Sequence, residues 1–155
     1  MDGLGSAASV IAVIDLTAKV TSLCFQYFKE VKSAKSDIKR LCGELDTLKT
    51  TLHSTRQLFD GPNGAQLQTS QRLRDGLHGC SSQLIELQTK LETKLNAGTA
   101  RKAMRKFGVR ALKWPFENKD VGSIIRTLEG YRDMLSAALT IDLAYVAAYP
   151  LISTY

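Results

Sequence analysis

The stretch IKRLCGELDTLKTTL, Ile38 to Leu52, decides the fold. Its apolar residues Ile38, Leu41, Leu45, Leu48 and Leu52 step by 3, 4, 3 and 4, a spacing that returns side chains to one side of an α-helix. Lys39, Arg40, Glu44, Asp46 and Lys49 fall off that line and read as the solvated side. A seam of this kind needs apolar partners, and the flanking sequence supplies them. Leu16, Val20, Leu23, Tyr27 and Val31 form a stripe in a segment running from about Leu4 to Val31. Leu73, Leu77, Cys80, Leu84, Leu87, Leu91 and Leu95 form another, from about Thr69 to Leu95. Val121, Ile124, Leu128, Tyr131, Leu135 and Ala138 form a fourth, starting near Asn118, where Glu117 and Asp120 suit the positive end of a helix dipole.

Breakers separate these segments. Asp60-Gly61-Pro62-Asn63-Gly64 ends the second, and Asn96 and Gly98 end the third. Four amphipathic segments with spacings near 3.5 predict an all-α fold, an antiparallel four-helix bundle with small crossing angles. Length and composition agree. The chain has 155 residues, 44% apolar and 23% charged, which fits one globular domain able to bury about two thirds of its unfolded surface. β-branched clusters bounded by turns are scarce, which disfavours a sandwich or barrel. After Asp142 the sequence is apolar and uncharged to its end, with Pro150 expected to interrupt any helix.

Chemistry-bearing motifs are missing. No G-x-x-x-x-G-K-[ST], G-x-S-x-G or H-E-x-x-H pattern occurs, and the two histidines, His53 and His78, have no metal-ligand partner at helical spacing. No enzyme activity, no cofactor, no metal and no small-molecule substrate are expected. Cys24, Cys42 and Cys80 are an odd set without C-x-x-C spacing, and each reads as a reduced, buried thiol. The chain meets no cation before Lys19, unlike a secretory signal, so a cytoplasmic protein is expected.

Charge is concentrated. The net charge of +6 resides in Arg101, Lys102, Arg105, Lys106, Arg110 and Lys113, with no acidic residue among them; the other 15 cations match the 15 acidic residues. This stretch has the periodicity of a short amphipathic helix, with Met104, Phe107, Val109 and Leu112 as apolar contacts and Trp114-Pro115-Phe116 as an anchor. It reads either as a binding site for anionic lipid head groups or as a solvated connector. Nucleic acid is disfavoured as a partner, since no helix-turn-helix or zinc spacing accompanies the patch.

The amino end is unusual in another way. Between Gly3 and Ile14 there is no charge, and Leu4, Ala7, Ala8, Val10, Ile11, Ala12, Val13 and Ile14 surround the helix on nearly every side. From Asp15 a polar line appears, through Lys19, Ser22, Gln26 and Lys29. A bundle helix needs only one apolar stripe, so the tip is expected either to be buried in the bundle or to meet a second environment, a partner or lipid. Twelve uncharged residues are too few to span a bilayer, and Asp15 at its centre would cost about 2.5 to 3.5 kcal/mol on an isolated helix. A helix continuing to Val31 would be about 40 Å long, but Asp15, Lys19 and Gln26 would then need the water-filled lumen of an oligomer.

Together the opening MDGLGSAASVIAVIDL, the stretch YFKEVKSAK at 27–35, the Ile38–Leu52 pattern and IIRTLEGYRDMLSAALTID at 124–142 resemble the HeLo-like amino-terminal domain of fungal NLR-type (STAND) receptors. That domain is similar in role to the four-helix bundle of mixed-lineage kinase-like pseudokinases. The resemblance covers about residues 1–143. It implies a cell-death execution domain of fungal incompatibility or innate immunity. Such a domain is cytoplasmic at rest and acts at the plasma membrane by homo-oligomerisation and insertion of its first helix, with an NLR-type receptor as a partner. The membrane-inserting residues it implies are Leu4, Val10, Ile11, Val13 and Ile14, with Asp15 as the polar member. Family members continue into a nucleotide-binding domain, repeats or an amyloid motif, whereas residues 144–155 here read as an apolar extension, of a stand-alone paralogue or of a truncated chain. The rival reading is a non-enzymatic adaptor that binds a partner protein through the same apolar helix.

Overall fold

The computed structural model describes residues 2–62, 64–67, 70–95 and 112–153, with side chains described within 9–62, 64–65, 67, 70–95 and 112–140. Four long helices carry the fold: α1 (Asp2–Glu30), α2 (Lys35–Phe59), α4 (Gln71–Leu95) and α5 (Asn118–Ser153), with a single-turn α3 (Gly64–Leu67) between α2 and α4. The described residues contain no strand. The all-α bundle expected from the leucine spacings is the architecture observed.

α4 and α5 start where local chemistry provides a start. Ser70 Oγ accepts the Leu73 N–H at 3.3 Å and caps α4, and Asp120 Oδ2 accepts the Glu117 N–H at 3.1 Å at the head of α5. The α1–α2 turn spans only residues 31–34 and closes through Ala34, which takes the left-handed conformation at φ 68°. A turn this short forces α2 back along α1. α3 is a turn of helix that the sequence reading treats as plain loop. It seats Leu67, 1% exposed, against α2 and α5. α5 runs on to Ser153 through Pro150. A proline's fixed φ is helical, and near a helix end the one hydrogen bond it removes leaves the remaining ladder intact.

α1 packs on α2 and α4, and α5 packs on the same two helices, so α1 and α5 occupy opposite corners. Gly76 faces Leu135 and Gly79 faces Tyr131, which makes α4 and α5 antiparallel. Asn118 Nδ2 donates to Asp37 Oδ1 at 2.7 Å, and Arg132 Nε donates to Glu44 Oε1 at 3.0 Å. Both contacts advance along α2 and α5 in the same sense. Two antiparallel hairpins, α1–α2 and α4–α5, are therefore stacked with α2 beside α5. The core is the predicted seam: Ile38, Leu41, Leu45, Leu48 and Leu52 are 0% exposed, and Leu73, Leu77, Cys80, Leu84, Leu87 and Leu91 at most 2%.

Glu44 departs from its expected place on the solvated side. It is 8% exposed and paired with Arg132. Burial pushes its carboxyl above the usual glutamate range, and the Arg132 hydrogen bond pulls it back only in part. Arg132→Met leaves this carboxylate buried and alone. Because the Arg132 side chain is 25% exposed, the expected loss at pH 7 is about 2 kcal/mol, below the 3–5 of a fully buried pair. A glutamate raised in the folded state destabilises it as pH rises through the raised value, so the deficit should shrink towards pH 4. Urea unfolding of both proteins at the two pH values checks this.

Gly79 is a second determinant invisible to hydrophobic spacing. A Cβ at Gly79 would overlap the edge of the Tyr131 ring, whereas one at Gly130 meets nothing within 4 Å. Gly79→Ala should destabilise by about 1–2 kcal/mol through overpacking, and Gly130→Ala should stabilise by about 0.5–1 kcal/mol through helix propensity. Thermal melts of the two variants give opposite signs if the α4–α5 approach is as described.

Candidate functional site

The candidate site is α1 together with the chain that returns onto it after the basic stretch. α1 has two unlike faces. Val10, Val13, Ile14, Thr17, Val20, Leu23, Cys24 and Tyr27 turn inward and are at most 9% exposed. Outward, a line at spacings of 4, 3, 4, 3 and 4 alternates apolar and polar exposed residues: Ile11, Asp15, Ala18, Ser22, Phe25 and Lys29. Ile11 is 42% exposed and Phe25 54%. Residues Ser9–Glu30 form a helical stretch of 22 residues long and apolar enough, by length and composition, to cross a hydrocarbon layer.

Of the residues implied for membrane insertion, Val10, Val13 and Ile14 lie in the core, while Ile11 and Asp15 face out. Leu4 lies within the α1 backbone, and its side chain is outside the described residues. The described tip is thus divided between core and surface. Two threonine hydroxyls on α1 are satisfied within the helix: Thr17 Oγ1 donates to the Val13 carbonyl at 2.7 Å and Thr21 Oγ1 to the Thr17 carbonyl at 2.8 Å.

Tyr27 fastens the far end. Its ring is 0% exposed, and its hydroxyl donates to the Leu91 carbonyl of α4 at 2.7 Å. Trp114 meets that ring edge-on at a centroid distance of 5.2 Å, and Phe116 meets Trp114 at 5.2 Å. The aromatic anchor therefore binds the end of the basic stretch to the bundle, with Trp114 6% exposed. Nearby, Lys35 and Lys39 Nζ lie 5.0 and 5.7 Å from the Phe28 ring centroid. The Lys19–Glu92 ion pair at 3.6 Å joins two partly exposed groups and adds little.

Lys113 is exposed in the extended run leading to Trp114. Arg101, Lys102, Arg105, Lys106 and Arg110 lie outside the described residues. His53 and His78 are exposed, and among the described residues no group of three or more His, Cys, Asp or Glu side chains could hold a metal ion. Sequence reasoning missed Phe25, which lies 14 residues from Ile11 on the same line, a heptad relation visible once the inner face is assigned.

A four-helix bundle with a long apolar amino-terminal helix is the class that this fold defines. Residues 1–148 match the family described as pigment biosynthesis cluster protein PigL N-terminal. The chain belongs to that family, a fungal-type domain. No curated protein and no solved structure matches it.

The geometry gives Tyr27 a measurable weight. Tyr27→Phe keeps the ring under Trp114 and removes only the bond to Leu91, so the expected loss is about 1 kcal/mol. Tyr27→Ala removes the ring as well and should cost about 3–5 kcal/mol. Chemical denaturation of both variants separates the two contributions.

Proposed function

We propose that this domain is a membrane-targeting execution module of the HeLo-like type, non-enzymatic, acting in fungal cell death by oligomerisation and entry of α1 into the plasma membrane. The observation that carries the reading is the composition of α1. It is spanning in length, its Thr17 and Thr21 hydroxyls bond within the helix, and it keeps Ile11, Ala18 and Phe25 outward. At rest the inner face is held by α2 and α4. In the proposed second state that face meets lipid or another copy of α1, and Asp15, Lys19 and Gln26 line a shared aqueous lumen. The basic residues Arg101, Lys102, Arg105, Lys106, Arg110 and Lys113 recruit the anionic leaflet, each contributing on the order of 1 kcal/mol.

Dye release from liposomes with and without anionic lipid tests this. Ile11 stands outside the core, so Ile11→Glu leaves the resting bundle intact while placing a charge in the uncharged tip, which has to cross the hydrocarbon ahead of Asp15. At about 2.5–3.5 kcal/mol in hydrocarbon, it should lower leakage roughly a hundredfold. Reversing Arg105 and Lys106 to Glu should weaken sedimentation with anionic liposomes. A folded protein that stays in the supernatant and releases no dye at any concentration overturns the reading in favour of an adaptor that docks a partner on α1.

A further inference from the structure

The α1–α2 hairpin brings two cysteines to one position. The turn at 31–34 sets an antiparallel register in which Phe28 and Ile38, five residues either side of Ser33, line the same cavity. One helical turn further from the bend on each helix stand Cys24 and Cys42, nine residues either side of Ser33, on two helices packed against each other. Cys24 is 0% exposed. Cys42 is half-buried and opens on the cavity, of about 160 Å³, whose other walls are Phe25, Phe28, Ile38 and Lys39. The third thiol, Cys80, is buried on α4.

We propose that Cys24 and Cys42 form a peroxide-oxidisable pair whose disulfide staples α1 to α2. The chemistry is balanced by hydrogen peroxide as oxidant. The Cys42 thiolate attacks one peroxide oxygen, the O–O bond breaks, and a sulfenic acid and hydroxide result. The Cys24 sulfur then attacks the Cys42 sulfur, and the S–O bond breaks. The departing hydroxide takes the Cys24 proton, giving the disulfide and water. In sum, two thiols lose two hydrogens and one peroxide becomes two waters. The cavity gives the oxidant its path to Cys42, while Cys24 waits behind it as the resolving thiol. Acidity follows the same order. The neighbouring Cys24 thiol lowers the Cys42 pKa, the Cys42 contact and burial raise Cys24, and burial alone pushes Cys80 up to about 12. Forming the bond brings the two sulfurs to about 2.05 Å. As a regulatory lock the disulfide rests on the proposed function, because it retains α1 in the bundle. As a chemical site it does not.

The test uses the full chain. The reduced protein is treated with one equivalent of hydrogen peroxide, alkylated and mapped by mass spectrometry without reductant. Free thiols should fall from the three present to one, with a single intrachain Cys24–Cys42 cross-linked peptide that dithiothreitol reverses. Cys80→Ser should still form the bond, and Cys42→Ser should leave its two remaining thiols free. Amide hydrogen exchange in α1 should slow roughly tenfold or more in the oxidised chain. Oxidation of Cys42 to sulfinic acid with Cys24 untouched, a bond between two chains, or unchanged α1 exchange despite the bond would each overturn the proposal. Leakage by the reduced and oxidised chains is then compared. Failure of both to release dye sinks the membrane reading while the disulfide map stands, and equal release by both sinks the lock.

Discussion

Val10, Val13, Ile14, Val20, Cys24 and Tyr27 fill the seam between α2 and α4, none more than 7% exposed. Each fully buried side chain of this size is worth about 1.5–3 kcal/mol, so the inner face of α1 is comparable to the 5–15 kcal/mol that holds a domain folded at all. α1 is therefore not an arm resting on a finished bundle. Removing it uncovers the apolar faces of α2 and α4 on which it packs, and it takes the Tyr27 ring from under Trp114. Any second state of α1 has to offer an apolar surface of similar extent to both parties, to the helix and to the groove it vacates. A bilayer serves the first, and another copy of the chain serves the second.

That requirement explains how the chain's polar groups are distributed. On α1, Thr17 and Thr21 bond back to their own helix and travel with it at no cost in lost partners. The stronger polar clamps, Asp37–Asn118 and Glu44–Arg132, join α2 to α5, on the side of the bundle away from α1. α1 itself is held mainly by apolar burial, with the Tyr27 hydroxyl and the exposed Lys19–Glu92 pair as its described polar ties to α4. Apolar contacts are non-directional and can be re-formed against lipid, whereas a broken buried ion pair cannot. A helix held this way exchanges environments more readily than one pinned by charge.

Periodicity carried the fold because each stripe is a geometric statement about a single helix. Ile38 to Leu52 repeats at 3 and 4 and is buried at every position, and the same holds from Leu73 to Leu91. Spacing is silent on what happens between helices. Glu44 sits among cations in the sequence and looks solvated, yet Arg132, 88 residues away, turns it into a buried clamp. Gly76 and Gly79 look like weak points in α4, yet they are where Tyr131 and Leu135 lie across it. Cys24 and Cys42 look like two unrelated core thiols until the turn through Ala34 fixes the hairpin register. For the candidate site, the apolar run at the amino end was legible as a surplus. Its division into Val10, Val13 and Ile14 inside and Ile11 outside was not, since an all-apolar stretch carries no phase.

The aromatic run after the basic stretch couples the two halves of the site mechanically. Leu112 and Trp114 are buried, Trp114 rests on Tyr27, and Phe116 reaches Lys90 of α4 at 6.0 Å. The basic residues from Arg101 to Lys113 are thereby tethered at one end to the last turns of α1. If α1 withdraws, Trp114 loses the ring it packs on, and the carboxyl-terminal anchor of the basic segment loosens with it. The converse follows from the reciprocity of linked equilibria. Under the proposed function, an anionic surface that pulls on the basic segment would weaken the Trp114–Tyr27 contact and so lower the cost of releasing α1. Charge recruitment and helix release, both steps of that proposal, would then be one transition rather than two.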